Sequence, residues 1–275
     1  MPTCVRQAWL ALPGGATIQL DNPSAGYMCQ SLDLGTPIMR TVMNNAPDQD
    51  GIIDRTQYMG ARTVVAAITA LTGAGAQIDA VAASFAPYMV PSQRPVLHYV
   101  LDRPGAPERT LTLRPDSYDW PIVGAAQRDI ALQWIAPNPI AYGATQNTIT
   151  VTTIGGTAAL RSPGDVPVRP VMTVTGPITN PQGQFITKTS AGVTIVVYNL
   201  LFSSFSLTAG QTVTIDCAAH TAVGPSGSVL GQLNWSVTTW PVCPINPSFT
   251  TFVLQGSGAG TGTQAVVSWY DGYLS

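Results

Sequence analysis

Hydrophobic and polar positions follow two different periods in the first half of the chain. Gly60–Leu71 is β-branched enough to read as a strand despite its alanines. In Ile130–Ile135 the apolar positions alternate, which puts Ile130, Leu132 and Trp134 on one face of another strand. Between them, Ile78, Val81, Ala82 and Phe85 recur at helical spacing and share one face of a helix that Pro87 ends. Val96–Asp102 and Arg109–Arg114 read as strands joined by Arg103-Pro104-Gly105-Ala106-Pro107, and Ala16–Leu34 as a hairpin about the turn Asp21–Gly26. Together these predict an α+β domain, an antiparallel sheet with one main helix.

After Tyr142 the pattern is all-β. Strands are expected over 148–154, 168–175, 185–188, 193–197, 211–216, 234–239, 249–254 and 265–270, separated by Gly, Pro and Asn turns. That spacing is the signature of a sandwich or jelly roll. The change falls at Leu132–Gly143, where a strand runs into Pro137 and Pro139, which cannot donate to a ladder. Beyond it only Arg161, Arg169, Lys188, Asp165, Asp216 and Asp271 are charged. We therefore place two domains, 1–145 and 146–275, with separately folding halves meeting at about residues 143–150.

Charged residues make up 9% of the chain, against a norm of about 25%. A mean hydropathy of +0.19 argues against disorder, so the low charge points to surface buried against other copies or a large assembly. A net charge of −2 and the lack of any Lys/Arg cluster give no footprint for nucleic acid. No apolar run is long enough for a membrane span, and Ala8–Leu12 is too short for the core of a signal peptide, so synthesis in the cytoplasm is expected. Cys4, Cys29, Cys217 and Cys243 contain no Cys-x-x-Cys pair and read as free thiols; Cys217–Cys243 is the pair best placed to bridge.

Chemistry-bearing motifs are few. There is no Gly-x-Ser-x-Gly elbow and no phosphate loop, and Gly256–Gly262 lacks the lysine and the helix a phosphate cradle needs. Asp48, Asp50 and Asp54 approach a calcium-loop spacing, but no closing Glu follows, since Glu108 is the sole glutamate. His98 and His220 have no nucleophile or orienting acid at a recognisable spacing. Asp102, Asp116 and Asp119 read as turn residues rather than a hydrolase pair. Trp235, Trp240 and Trp269 are candidates for stacking on a sugar, or for the sandwich core. No enzyme, cofactor or metal is expected.

Four stretches resemble one family. They are Asp50-Gly51 through Asp54, Gly60, Arg62 and Val64; Pro91–Leu97; Leu132–Tyr142, with Asn138 where the family has Asp; and Pro170–Pro181 together with Val266–Leu274. In order and spacing they resemble the distal tail protein, or minor tail protein, of bacteriophages with long non-contractile tails. A Pro-Gly-x-Asn motif of the family is blurred here to Pro244-Ile245-Asn246-Pro247.

The resemblance implies a virion protein of the phage tail tip. Its first domain would close a ring of six copies around the tail channel, joining the tail tube to the tail-tip hub or baseplate. The second would be a galectin-like sandwich projecting outward. Arg62, Arg94, Trp134 and Tyr142 are the expected structural or interface residues, with the two arginines pairing across or within protomers. The loop Met43–Met59 would be ordered by neighbours. The competing reading is a carbohydrate-binding module for host attachment, which would show as a planar aromatic beside a polar cluster on one exposed face.

Overall fold

The computed structural model describes residues 5–40, 43–45, 52–54, 58–71, 75–124, 127–245 and 248–274. These divide into two compact units, one of residues 1–144 with 274–275 and one of residues 145–273. Unit 1 contains β1 (Val5–Ala11), β2 (Thr17–Gln19), β3 (Tyr27–Asp33), β4 (Met39–Arg40), β5 (Met43–Asn45), β6 (Ile52–Asp54), β7 (Tyr58–Met59) and β8 (Arg62–Leu71). The helix α1 (Gly75–Phe85) follows, then β9 (Val96–Leu101), β10 (Glu108–Thr112), β11 (Arg114–Asp119), β12 (Ile122–Gly124) and β13 (Gln127–Ala136). β14 (Ala141–Val151) begins in this unit and ends in the next.

Where the sequence suggests one sheet, unit 1 has two main ones. One runs β2-β1-β9-β10-β14 and the other β11-β13-β8-β3, with β12 alongside β13. Alternation on β8 and β13 buries Arg62, Val64, Ala66 and Ile68 opposite Ala136, Trp134, Leu132 and Ile130, and buried Ala70 faces the half-buried Arg128. Helix α1 lays Ile78, Val81, Ala82 and Phe85 inward, as its period predicts. Phe85 meets Tyr27 edge-on, with ring centroids 5.4 Å apart. Pro87 lies in a 3-10 turn, Ala86–Met89, that continues from the helix.

The predicted hairpin over Ala16–Leu34 does not form. β2 pairs with β1 while β3 pairs with β8, so the two strands enter different sheets. Asn22 redirects the chain, its side chain capping the 3-10 turn Pro23–Ala25. The register of β3 then slips between Cys29 and Ser31. This bulge is why Tyr27 and Leu32, five positions apart, both point inward. β4 pairs with β7 and β5 with β6. The suggested ligands Asp48 and Asp50, and Cys4, lie outside the described residues.

Unit 2 contains β15 (Thr157–Leu160), β16 (Val171–Thr175), β17 (Ile178–Lys188), β18 (Thr194–Leu201), β19 (Ser206–Leu207), β20 (Thr212–Asp216), β21 (Thr221–Gly224), β22 (Gly227–Ser228), β23 (Phe249–Ser257) and β24 (Gln264–Tyr273). One sheet includes β24-β16-β20-β21-β22; the other is β15-β23-β17-β18, with β19 beside β17. Inward-facing Met172, Val174, Val213, Ile215 and Val267 meet Phe185, Phe252 and Leu254 of the second sheet. The sheets come so close at Gly183 that a Cβ there would sit 2.6 Å from Met172 Sδ. This is an antiparallel sandwich, and with unit 1 it makes the described protein mostly β with a single α-helix.

Asn234–Thr239, expected as a strand, is a turn. The Asn234 carbonyl accepts the N–H groups of Val237 and Thr238, and its side chain accepts the N–H and the hydroxyl of Ser236. Local bonding of this kind competes with a ladder.

Candidate interaction surfaces

Of the four residues expected to matter structurally, two are internal. Arg62 is 1% exposed, and its Nη1 donates to the Leu274 carbonyl at 3.0 Å. Burial pushes its pKa down, and the Tyr99 hydroxyl opposes that shift. Arg109, also closed to solvent, sits in register with Tyr99. Trp134 is fully buried, its indole N–H directed at the Tyr88 carbonyl at 3.4 Å.

The other two lie nearer the surface. Tyr142 is half-buried; its carbonyl accepts from the Thr110 hydroxyl and its own hydroxyl from the Asn138 amide. Asn138 also accepts the Ile140 N–H, so it shapes the bend between Pro137 and Pro139. Arg94 is exposed and donates to the carbonyls of Pro91 and Gln93, in its own loop. Within the chain Arg62 and Arg94 have separate partners, the Leu274 carbonyl and the Tyr99 hydroxyl for the one and loop carbonyls for the other.

The outer face of the β8–β13 pair is a candidate contact surface. Thr63, Val65, Ala67 and Thr69 stand opposite Ile135, Gln133, Ala131 and Asp129. The single charge in this double row, Asp129, accepts from Thr69 Oγ1 at 2.9 Å and from Gln127 Nε2 at 3.4 Å. Near the base of the Met43–Met59 segment, Ile38, Met39 and Met59 are exposed apolar side chains. Neither feature has the residue types of a catalytic site; both have those of a surface awaiting cover.

Unit 2 presents aromatic rings instead. Trp235 is 53% exposed, while Trp240 is half-buried and stacks on exposed His220 with centroids 4.7 Å apart and planes 10° from parallel. Trp235 lies 6.2 Å from Trp240, tilted by 57°. Trp269, the third candidate for sugar stacking, is a core residue.

The Dit (gp 19.1) protein of SPP1, a paradigm of the hub adsorption apparatus in phages infecting Gram-positive hosts, matches with a TM-score of 0.68 and 14% identity, over 97% of this chain and 99% of that one. The chain has the fold of a phage distal tail protein. A chain of the phage P2 baseplate in its activated conformation with Ca aligns more loosely, with a TM-score of 0.45 and 7% identity over 92% of this chain and 99% of that one. No family model matches the chain, and no curated protein sequence matches it.

The remaining sequence candidates fall elsewhere. Gly256–Gly262 connects β23 to β24, with Gly256, Gly258 and Gly262 at positive φ and no helix following. His98 stacks on Trp9 across the β1–β9 pair and bonds Glu108 at 2.7 Å. Among the described residues no group of three or more His, Cys, Asp or Glu could hold a metal, and Cys29, Cys217 and Cys243 are free thiols. No described helix is long and apolar enough to cross a membrane. Sequence reasoning missed Arg109 and the His220–Trp240 stack. Arg109 shares its strand face with Leu111, a parity that could have marked it as inward-facing. The stack joins residues twenty apart and left no local signal.

Proposed function

We propose that this protein is a structural component of a phage tail tip. Unit 1 closes a ring of six copies that joins the tail tube above to the hub or baseplate below, and unit 2 is a galectin-like sandwich. Its place of action is the virion. The observation that carries this reading is the fold shared with SPP1 Dit along nearly the full length of both chains. The outer face of β8–β13, whose double row carries Asp129 as its single charge, supports it, because a heterologous contact repeated around an axis hides such a face in every copy. So do Ile38, Met39 and Met59, which a neighbouring copy would cover. Contacts that persist in a particle should bury at least about 1,000 Å² each.

Electron microscopy of the assembled tail, with native mass spectrometry of the full chain, tests this. Six copies in a closed ring at the tail tip is the expected result. A particle in which the protein is present as isolated monomers would overturn the ring.

A further inference from the structure

Ring closure through unit 1 makes no use of the rings on unit 2. We propose that Trp235, Trp240 and His220 form a stacking platform for a neutral hexopyranose polysaccharide, a binding site that does not depend on the ring.

The platform is held in place before any ligand arrives. His220 sits in the left-handed region, φ 56, in the turn between β20 and β21. Asp216 Oδ1 fixes that turn by accepting the N–H groups of Ala218 and Ala219 at 2.8 and 2.9 Å. Trp235 sits in the Asn234 turn, which is tied to β18 at both ends. Asn234 N–H donates to the Leu201 carbonyl and Thr239 N–H to the Asn199 carbonyl, each at 2.8 Å, and Asn199 N–H donates to Thr239 Oγ1 at 3.1 Å. Rings fixed in this way lose little freedom when a ligand settles on them.

The chemistry selects the ligand. Residues 234–240, Asn-Trp-Ser-Val-Thr-Thr-Trp, contain no charged side chain, which leaves His220 as the sole titratable group of the platform and favours a neutral ligand over a phosphate or a carboxylate. A pyranose has an apolar C–H face rimmed by hydroxyls, which suits a flat indole beside the amide of Asn234 and the hydroxyls of Ser236 and Thr239. Tryptophan is also the side chain that gives most contact area for few rotatable bonds. Trp134 and Trp269 are buried and Trp9, Trp120 and Trp240 half-buried, so Trp235 is the most exposed of the six tryptophans. A protein partner would be recognised by a similar patch; the polar rim and absence of charge favour the sugar.

The test uses the purified full chain. Hexasaccharides of glucose, galactose and N-acetylglucosamine are titrated by calorimetry and tryptophan fluorescence. Saturable binding to at least one of them is expected. Trp235→Ala should weaken it by at least about tenfold, and Trp235→Phe should keep most of it. His220→Ala should weaken it too, with the thermal midpoint of each variant unchanged. Absence of binding to all three sugars overturns the proposal, as does binding that survives Trp235→Ala intact. Native mass read on the same samples keeps this outcome separate from that of the ring.

Discussion

Arg62 Nη1 donates to the carbonyl of Leu274, a contact spanning 212 positions of sequence at 3.0 Å. It closes unit 1 by tying the start of β8 to residues that return after the whole of unit 2. The guanidinium is closed to solvent, so its bonds are not shared with water. Arg62→Ala removes the bond and leaves a cavity, and should cost about 3 kcal/mol. Arg62→Met keeps the stem's packing and should cost less. Urea midpoints measure both; a midpoint unchanged by Arg62→Ala would show that the tie is incidental.

Gly35 turns the chain out of β3 with φ +60, and a Cβ there would run into the backbone carbonyl of Thr63. Strand β8 cannot give way, because it is paired on both sides. Gly35→Ala should therefore destabilise the protein by more than about 2 kcal/mol, combining left-handed strain with a backbone clash. Gly105, also at positive φ, has open space around it. Gly105→Ala should cost only about 1 kcal/mol, and equal losses at the two sites would contradict this account.

The thiols of Cys217 and Cys243 are buried in the sandwich. Burial pushes both above their usual value, Cys243 to about 12 from 9.0. At neutral pH the two should resist alkylation until the protein unfolds, while Cys29, only partly buried, labels sooner. The unfolded chain ionises these thiols from about pH 9, whereas the fold keeps them neutral. The unfolded state then binds fewer protons, so stability is full below pH 9 and falls as pH rises toward 12. Cys→Ser at both positions should flatten that alkaline limb. A limb that persists unchanged would place its origin elsewhere.

Strand β13 and the buried face of α1 were legible because a single period runs through each, and strand β8 because of its β-branched content. Arg62 lies in phase with Val64, Ala66, Ile68 and Ala70, a parity that marks it as inward-facing but that the expected pairing with Arg94 did not use. The errors came where side chains took over backbone bonding. Asn22 and Asn234 each capture local N–H groups, which ended one expected hairpin and one expected strand. The second sheet of unit 1 escaped notice because β1 pairs with β9, a partner far along the chain. The aromatic platform was half legible: Trp235 and Trp240 could be named, but their exposure depends on a turn that the Val and Thr content disguises.

The two units should melt separately if each holds its own core. Each has a distinct set of buried apolar residues, Trp134 with Phe85 in one and Phe185 with Phe252 in the other. Calorimetry should resolve two transitions, with Gly35→Ala lowering only one. A single transition that Gly35→Ala shifts whole would show that the units fold as one.

The last prediction concerns the outer face of β8–β13. Ala67 and Ala131 stand directly opposite one another there, amid threonines, Val65, Gln133 and Ile135. Small side chains at that point let another surface approach closely, and the double row around them carries a single charge, Asp129. Ala131 is exposed in the single chain, so Ala131→Arg should leave the fold intact, with a stability change within about 0.5 kcal/mol. In a ring the same arginine, although Asp119 stands opposite it and Asp129 beside it, would push a long charged side chain into every contact, which is unfavourable. The expected outcome is a well-folded protein that no longer assembles, read as a fall from the ring's mass to that of the protomer. A control charge at Arg94, as Arg94→Glu, should alter assembly less if its loop lies outside the contact. Should Ala131→Arg assemble as readily as the parent chain, the β8–β13 face is not the ring interface, and the exposed side chains Ile38, Met39 and Met59 become the surface to test.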